Sequence, residues 1–147
     1  MAERRDPSHG WCSLRLRFEE RDLALLRGSE RVRGAALAQQ ARPSVLREAI
    51  NLAKLGSKLA RITPGASVTL EEPEVNLLVE AVRFATGELQ WAAGTRDAED
   101  SPRRQAVLDA FTELSAQGMW RSFGVIRDLE ALADRLRQAL TASTHRA

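Results

Sequence analysis

SVTLEEPEVNLLVEAVRFATGELQW, residues Ser67–Trp91, contains both kinds of secondary structure that the chain uses, in direct succession. It begins with a short apolar strand, and the acids and Pro73 that follow are typical of a first helical turn. From Val75 onward the apolar residues recur at spacings of 3, 4, 3 and 4, which predicts an amphipathic helix with one buried face. We therefore expect a strand that leads directly into a long core helix.

A similar pattern lies 52 residues earlier in the chain. Leu16–Val32 aligns with Val68–Phe84, and five of the 17 residue pairs are identical. A weaker match continues into the next helix of each half, so each half is predicted to form a strand and two helices. We therefore predict a pseudo-twofold strand-helix-helix repeat of residues 11–62 and 66–118. Amphipathic helices also resemble one another by pattern alone, so the sequence leaves open whether the repeat is a true duplication.

The remaining elements follow from periodicity and from helix-terminating residues. WCSLRLRF, Trp11–Phe18, alternates apolar and basic side chains as a half-buried strand does, and it is expected to pair with the strand that ends at Leu70. Residues 1–10 are predicted to be a flexible leader and residues 142–147 a frayed tail. Helices are predicted over residues 19–40, 44–62, 73–93, 102–117 and 122–140.

These elements predict a mainly α fold: a single domain, residues 11–141, built as a bundle of four to five helices with one short two-stranded β element. Gly28 and Gly34 are expected to weaken the first helix by roughly 1 kcal/mol each relative to alanine. The expected core combines residues from three predicted helices: Leu78, Val82, Phe111, Leu114, Leu129 and Leu136.

Length and composition narrow the class of protein. The 147 residues are 44% hydrophobic and 29% charged, which is typical of a folded globular chain. Cys12 is the single cysteine, so no intrachain disulfide can form and a reducing compartment is indicated. MAERRDPSHG at the amino terminus lacks the apolar segment of a secretory signal, and no run approaches the ~18 apolar residues of a membrane span. We expect a cytoplasmic protein that does not enter a membrane.

The residue types that carry most enzyme chemistry are sparse or poorly placed. His9 and His145 lie near the two ends of the chain, Cys12 has no histidine placed to activate it, and no cysteine–histidine spacing suits zinc. No glycine-rich segment has the spacing of a phosphate-binding or dinucleotide-binding loop. The acids of residues 71–74 recur at residues 19–22, which favours a role at helix starts over one active site. We therefore expect no enzymatic activity, no cofactor and no metal.

One cluster of aromatic and arginine residues predicts a binding surface. These residue types are enriched in the energetic centres of protein interfaces. The alternative is that Trp120 and Phe123 only close the core under the helix connection. We favour a small non-enzymatic interaction module, a regulator or adaptor that binds a protein partner or pairs with itself as a homodimer. The predicted partner-binding residues are Trp91, Met119, Trp120, Arg121 and Phe123.

A second cluster favours a different function, a nucleic-acid-binding regulator. Residues 1–63 carry a net charge of +6 and residues 64–147 a net charge of −4, and arginine outnumbers lysine 20 to 2. Arginine suits phosphate recognition, but a GC-rich genome also produces arginine, and local ion pairs on a solvated face give the same pattern. The residues predicted to contact phosphate in this alternative are Arg15, Arg17, Arg27, Arg31 and Arg33.

Overall fold

The fold is mainly α with one small antiparallel sheet. A computed structural model describes residues 4–6, 11–40, 42–94 and 101–146. In chain order its elements are β1 (Arg4–Asp6), β2 (Trp11–Arg17), α1 (Glu20–Ala38), α2 (Pro43–Leu59), β3 (Ser67–Glu71), α3 (Glu72–Gly94), α4 (Pro102–Ala110), α5 (Thr112–Gln117), a 3-10 turn (Met119–Arg121) and α6 (Ser122–Arg146).

The predicted pairing of the two strands is confirmed. β2 and β3 run antiparallel, with Leu14 opposite Leu70 and Leu16 opposite Val68. Leu14 and Leu70 are buried because their face of the sheet lies on the helices. β1 adds a third strand beside β2, within the segment that was predicted to be a flexible leader. Its three residues, RRD, have no apolar alternation, so the sequence pattern gave no sign of this strand.

The core lies between the sheet and the long helices, and α3 is at its centre. α3 packs against α1 on one side and α6 on the other. The alternating 3 and 4 spacing of its apolar residues places Leu78, Val82 and Leu89 fully out of solvent. The other members of the predicted core are buried as well: Phe111, Leu114, Leu129 and Leu136.

The predicted helix over residues 102–117 is broken in two at Phe111. This residue has φ −121° and ψ 88°, outside the helical region, and it separates α4 from α5. Its ring is buried against Gly28 of α1, where a β-carbon would lie 2.6 Å from Phe111 Cε1. At Phe111 the backbone is therefore not helical, and the side chain packs against α1. At the other end of the chain, α6 continues to Arg146, into the segment predicted to be frayed.

The first helices of the two halves begin with the same kind of hydrogen bond. The Glu19 N–H donates to Asp22 Oδ2 at 3.0 Å, and the Glu71 N–H donates to Glu74 Oε1 at 2.9 Å. Such a bond suits any strand that leads into a helix, because it satisfies an amide that the helix leaves unpaired. Beyond this point the halves differ, since α4 packs more closely on α1 than on α3. The internal duplication therefore stays a prediction.

Candidate protein-interaction surface

Two large aromatic side chains project into solvent where α5 meets α6. Trp120 is 69% exposed and Phe123 is 74% exposed. The alternative in which these rings close the core is therefore wrong. We call the pair Trp120 and Phe123 the aromatic surface. Large exposed aromatics close together in the chain are typical of interaction sites, because burying them in a complex removes much apolar area from water.

The backbone around the aromatic surface is set by a glycine and a short turn. Gly118 ends α5 with φ +90°, a conformation that side chains with a β-carbon rarely adopt. Its N–H donates to the carbonyl of Leu114 at 2.8 Å, and the Arg121 N–H donates back to the Gly118 carbonyl at 3.1 Å. Gly118 lets the chain change direction within a single 3-10 turn between α5 and α6. Trp120 and Phe123 lie on the solvent-exposed side of this connection.

Ion pairs fix this connection to α1. Glu113 accepts a hydrogen bond from Arg21 of α1, and its other carboxylate oxygen lies 3.7 Å from Arg121 Nη2. Arg21 also donates to Asp128 of α6 at 3.0 Å. Burial lowers the pKa of Arg21, but the hydrogen bonds with Glu113 and Asp128 outweigh burial and hold that pKa above its ordinary value. Arg21 is thus a permanent cation that joins both sides of the connection.

The predicted residues next to the aromatic surface have different positions. The guanidinium carbon of Arg121 lies 5.3 Å from the centre of the Trp120 ring, a cation–π contact that restrains the indole. Arg127, one turn after Phe123, is largely exposed and lies 3.7 Å from Asp128. Two arginines therefore border the aromatic surface, and each lies 3.7 Å from a carboxylate of its own chain. The side chain of Met119 lies outside the described part of the structure.

Trp91 is separate from the aromatic surface. It is half-buried near the end of α3, and the guanidinium carbon of Arg103 lies 3.7 Å from its ring centre. Arg103 also donates two hydrogen bonds to Glu88, at 2.9 and 2.6 Å. The hydrogen bonds with Glu88 raise the pKa of Arg103. Arg103 of α4 is thus joined to α3 by its contacts with Trp91 and Glu88.

Glu88 and Arg103 also line a groove of about 430 Å³ between α1, α3 and α4. Gln39, at the end of α1, shares that groove with Arg103, whereas Arg21 in the first turn of α1 reaches the α5–α6 connection. Eighteen residues of helix separate Arg21 from Gln39, about 27 Å along the axis. The structure therefore does not join Trp91 to Trp120 and Phe123 in one surface.

The five arginines of the nucleic-acid alternative do not form one open face. Arg27 donates to the carbonyl of Leu59 at 3.0 Å, where it closes the end of α2. Arg33 donates to Glu48 at 3.2 Å and lies 4.8 Å from the centre of the Phe84 ring. These two guanidinium groups hold α1 against α2 and α3. The three that stay exposed are Arg15, Arg17 and Arg31.

A second exposed apolar surface lies on α2, and the sequence analysis missed it. Leu46 is 60% exposed and Ile50 is 48% exposed. The buried stripe of α2 is formed by Leu52, Leu55 and Leu59. Leu46 and Ile50 lie four residues apart on the opposite side. That second spacing was visible in the sequence and could have revealed a helix with two apolar faces.

Within the described ranges, no group of three or more His, Cys, Asp or Glu side chains could hold a metal ion. Cys12 is buried in β2. Among the helices that the structure describes, none is long and apolar enough to cross a membrane.

Comparison with known proteins yields no relative, since no protein-family model, curated protein or solved structure matches the chain. A function can therefore be inferred only from the exposed surfaces of this protein.

Proposed function

We propose that the protein is a non-enzymatic interaction module, a regulator or adaptor, whose aromatic surface anchors a protein partner. The observation that carries the proposal is the exposure of Trp120 and Phe123 within one short connection. Large aromatics are the residues that dominate the energy of protein interfaces once a partner encloses them.

The connection between α5 and α6, residues 118–123, is also suited to binding because contacts within the chain hold it in place before a partner binds. Glu113 pairs with Arg21 and lies within ion-pair distance of Arg121 on the connection. A surface that is already ordered loses less conformational entropy when a partner binds. The backbone that carries the rings is therefore held by contacts within the chain.

The charges beside the rings indicate what the partner carries. Arg121 and Arg127 border the aromatic surface, and Arg127 is 82% exposed. Complementary charge steers association and fixes orientation. We infer a partner with an apolar pocket that is bordered by carboxylates.

Position-specific crosslinking tests the proposal. The photoreactive amino acid p-benzoylphenylalanine would replace Phe123 in cells that express the protein naturally, and Gln138, exposed on α6, would carry it in the matched control. A discrete adduct from position 123 that is absent from position 138 is expected. With the purified partner, Trp120→Ala should weaken binding about 30-fold, or about 2 kcal/mol, as a central aromatic does.

Two other outcomes would change or overturn the proposal. An adduct of twice the chain mass, together with a concentration-dependent molecular weight in light scattering, would make the partner a second copy. Equal labelling at positions 123 and 138, with wild type monomeric at all concentrations, would contradict a docking role for the aromatic surface.

Nucleic-acid binding is the weaker candidate. It rests on the positive charge of the first half, but Arg27 and Arg33 are engaged within the chain. An anisotropy titration with mixed-sequence duplex DNA at low salt checks it, because non-specific phosphate contacts are strongest there. We expect no binding that depends on Arg15, Arg17 and Arg31.

A further inference from the structure

The outer side of α2 has the pattern of a helix-packing seam. Leu46, Ile50, Ala53 and Ser57 follow one another at spacings of 4, 3 and 4, and all four are exposed. Side chains at these spacings lie on one side of a helix. Ser57 Oγ donates to the carbonyl of Ala53 at 3.3 Å, so its hydroxyl is already satisfied and can be covered. The stripe thus has two large apolar residues followed by two small ones.

Basic residues border this stripe on one side. Arg47 and Lys54 are exposed and seven residues apart, and Arg61 follows at the same interval just past the end of the helix. None of the three has an ion pair among the described residues. The one acid of α2, Glu48, is engaged by Arg33. The border is therefore positively charged along its length.

This arrangement matches one side of a coiled-coil pair. With Leu46 and Ile50 at the d and a positions of a heptad, Ala53 and Ser57 continue the d and a positions, and Arg47 and Lys54 both occupy e. Charges at such border positions select the partner helix and its direction. We propose that this face, which we call the α2 seam (Leu46, Ile50, Ala53 and Ser57, with Arg47 and Lys54), docks an amphipathic helix of another protein that carries an apolar stripe and an acidic border.

A second copy of this chain does not fit the α2 seam. Two seams packed antiparallel would bring Arg47 and Lys54 close to the same cations of the other copy, which repel. Packed parallel, they would place these cations beside Ala49 and Gly56 of the other copy, which offer no acid to pair with them. The other large exposed apolar side chains among the described residues are Trp120 and Phe123, and arginines border them too. The described surface thus offers no apolar stripe with an acidic border. This site lies apart from the aromatic surface and does not depend on the function proposed for it.

A designed peptide tests the α2 seam directly. The probe is a fluorescein-labelled helix of three heptads with Leu at positions a and d and Glu at e and g, since the glutamates keep the peptide from pairing with itself. The control peptide has the same composition in scrambled order, so its charge is equal but its apolar stripe is lost. In fluorescence anisotropy, we expect the ordered peptide to bind about tenfold more tightly than the scrambled one.

Matched variants of the protein locate the binding. Leu46→Ser with Ile50→Ser, and separately Arg47→Glu with Lys54→Glu, should each weaken binding of the ordered peptide about tenfold. The pair Arg15→Glu with Arg31→Glu makes the same change in net charge elsewhere on the surface and should leave the affinity within about threefold. Trp120→Ala should also leave it unchanged, which separates this site from the aromatic surface. Circular dichroism verifies that each variant is folded.

Three results would overturn the proposal. Equal affinity for the ordered and scrambled peptides would mean that only net charge matters. Unchanged affinity of the Leu46→Ser, Ile50→Ser variant would place the peptide elsewhere. Binding to vesicles of phosphatidylcholine and phosphatidylserine that depends on Leu46, Ile50, Arg47 and Lys54, with no binding of the peptide, would make the α2 seam a membrane contact instead.

Discussion

Gly28→Ala should destabilise the protein, although alanine favours helices. Gly28 lies inside α1, where a glycine normally costs about 1 kcal/mol relative to alanine. In this fold, however, a β-carbon at Gly28 would lie 2.6 Å from Phe111 Cε1 and 2.8 Å from the carbonyl oxygen of Ala110. One neighbour is a buried ring and the other is backbone, so neither can move away without shifting α4 from α1.

The size of the effect follows from these two opposing contributions. Overpacking a well-filled site costs about 1–3 kcal/mol, and two contacts shorter than 3.0 Å place Gly28 at the upper end of that range. The gain in helix propensity offsets about 1 kcal/mol of it. We expect a net loss of about 2 kcal/mol in the free energy of unfolding, which lowers the melting temperature by about 4–8 °C.

Gly34→Ala is the matched control, because it makes the same change in the same helix. The nearest atom to a β-carbon at Gly34 is Glu30 Oε1 at 3.9 Å, an ordinary contact. This variant should gain about 0.4–1 kcal/mol. Urea unfolding followed by circular dichroism gives both values, provided that the m-value is the same for all variants. The two substitutions should therefore differ by about 3 kcal/mol and in sign.

A Gly28→Ala variant as stable as wild type would refute the close approach of α1 to Phe111. The cause can be isolated with Phe111→Leu, which removes the ring atoms nearest to Gly28. If the clash with the ring contributes, the double variant should be more stable than the sum of the two single effects predicts. Strict additivity would assign the loss to the backbone contact at Ala110 instead.

Three further predictions concern the core residue Leu78, the helix-capping acid Asp22 and the half-buried acid Glu30. Leu78→Ala should cost about 2–5 kcal/mol in urea unfolding, because this side chain is fully buried in α3; an unchanged midpoint would mean that another face of α3 is buried. Asp22→Ala should cost about 1–3 kcal/mol, since the carboxylate caps α1 through the Glu19 N–H and accepts from Arg135 at 2.5 Å; Asp22→Asn, which keeps an acceptor, should cost less in thermal unfolding. Burial raises the pKa of Glu30, with a smaller opposing effect from nearby positive charge, so the folded state binds this proton more tightly than the unfolded state, whose pKa is near 4.5. The contribution of Glu30 to stability should therefore rise as the pH falls through its folded pKa toward 4.5. Glu30→Gln should be more stable than wild type at neutral pH by a margin that shrinks on acidification; a margin independent of pH would contradict the assignment.

The parts of the fold that were predictable are those encoded by local periodicity. β2 follows from alternation, β3 from a short apolar stretch that matches β2 at an offset of 52 residues, and α3 from regular 3 and 4 spacing. The break at Phe111 was not predictable, because Val107, Phe111 and Leu114 continue a helical stripe through it. Where the backbone leaves the helix, the Phe111 ring packs against Gly28, 83 positions earlier in the chain. Effects that depend on such distant pairs are absent from any short window of sequence.

The same limit applies to the surfaces. The sequence placed Trp120 and Phe123 at a helix junction, but an aromatic in that position can close a core or face solvent equally well. In the folded chain both rings are exposed, at a connection that begins at Gly118 with φ +90°. The sequence could not show which arginines of the predicted phosphate-binding cluster are engaged within the chain. Arg27, for example, donates to the carbonyl of Leu59 on α2, 32 residues away.

Neither exposed surface is needed to hold the fold together, and this makes both of them testable. Trp120 and Phe123 are more than two-thirds exposed, and Leu46 and Ile50 about half. Their truncation removes little buried area, so it should change the free energy of unfolding by no more than about 0.5 kcal/mol at the aromatic surface. Among its described residues the chain keeps four large apolar side chains exposed, at two separate places with arginine or lysine beside each, and it gains little folding stability from them. Selection for contact with other molecules explains that pattern better than selection for the fold, because a polar residue at any of the four positions would leave the core intact.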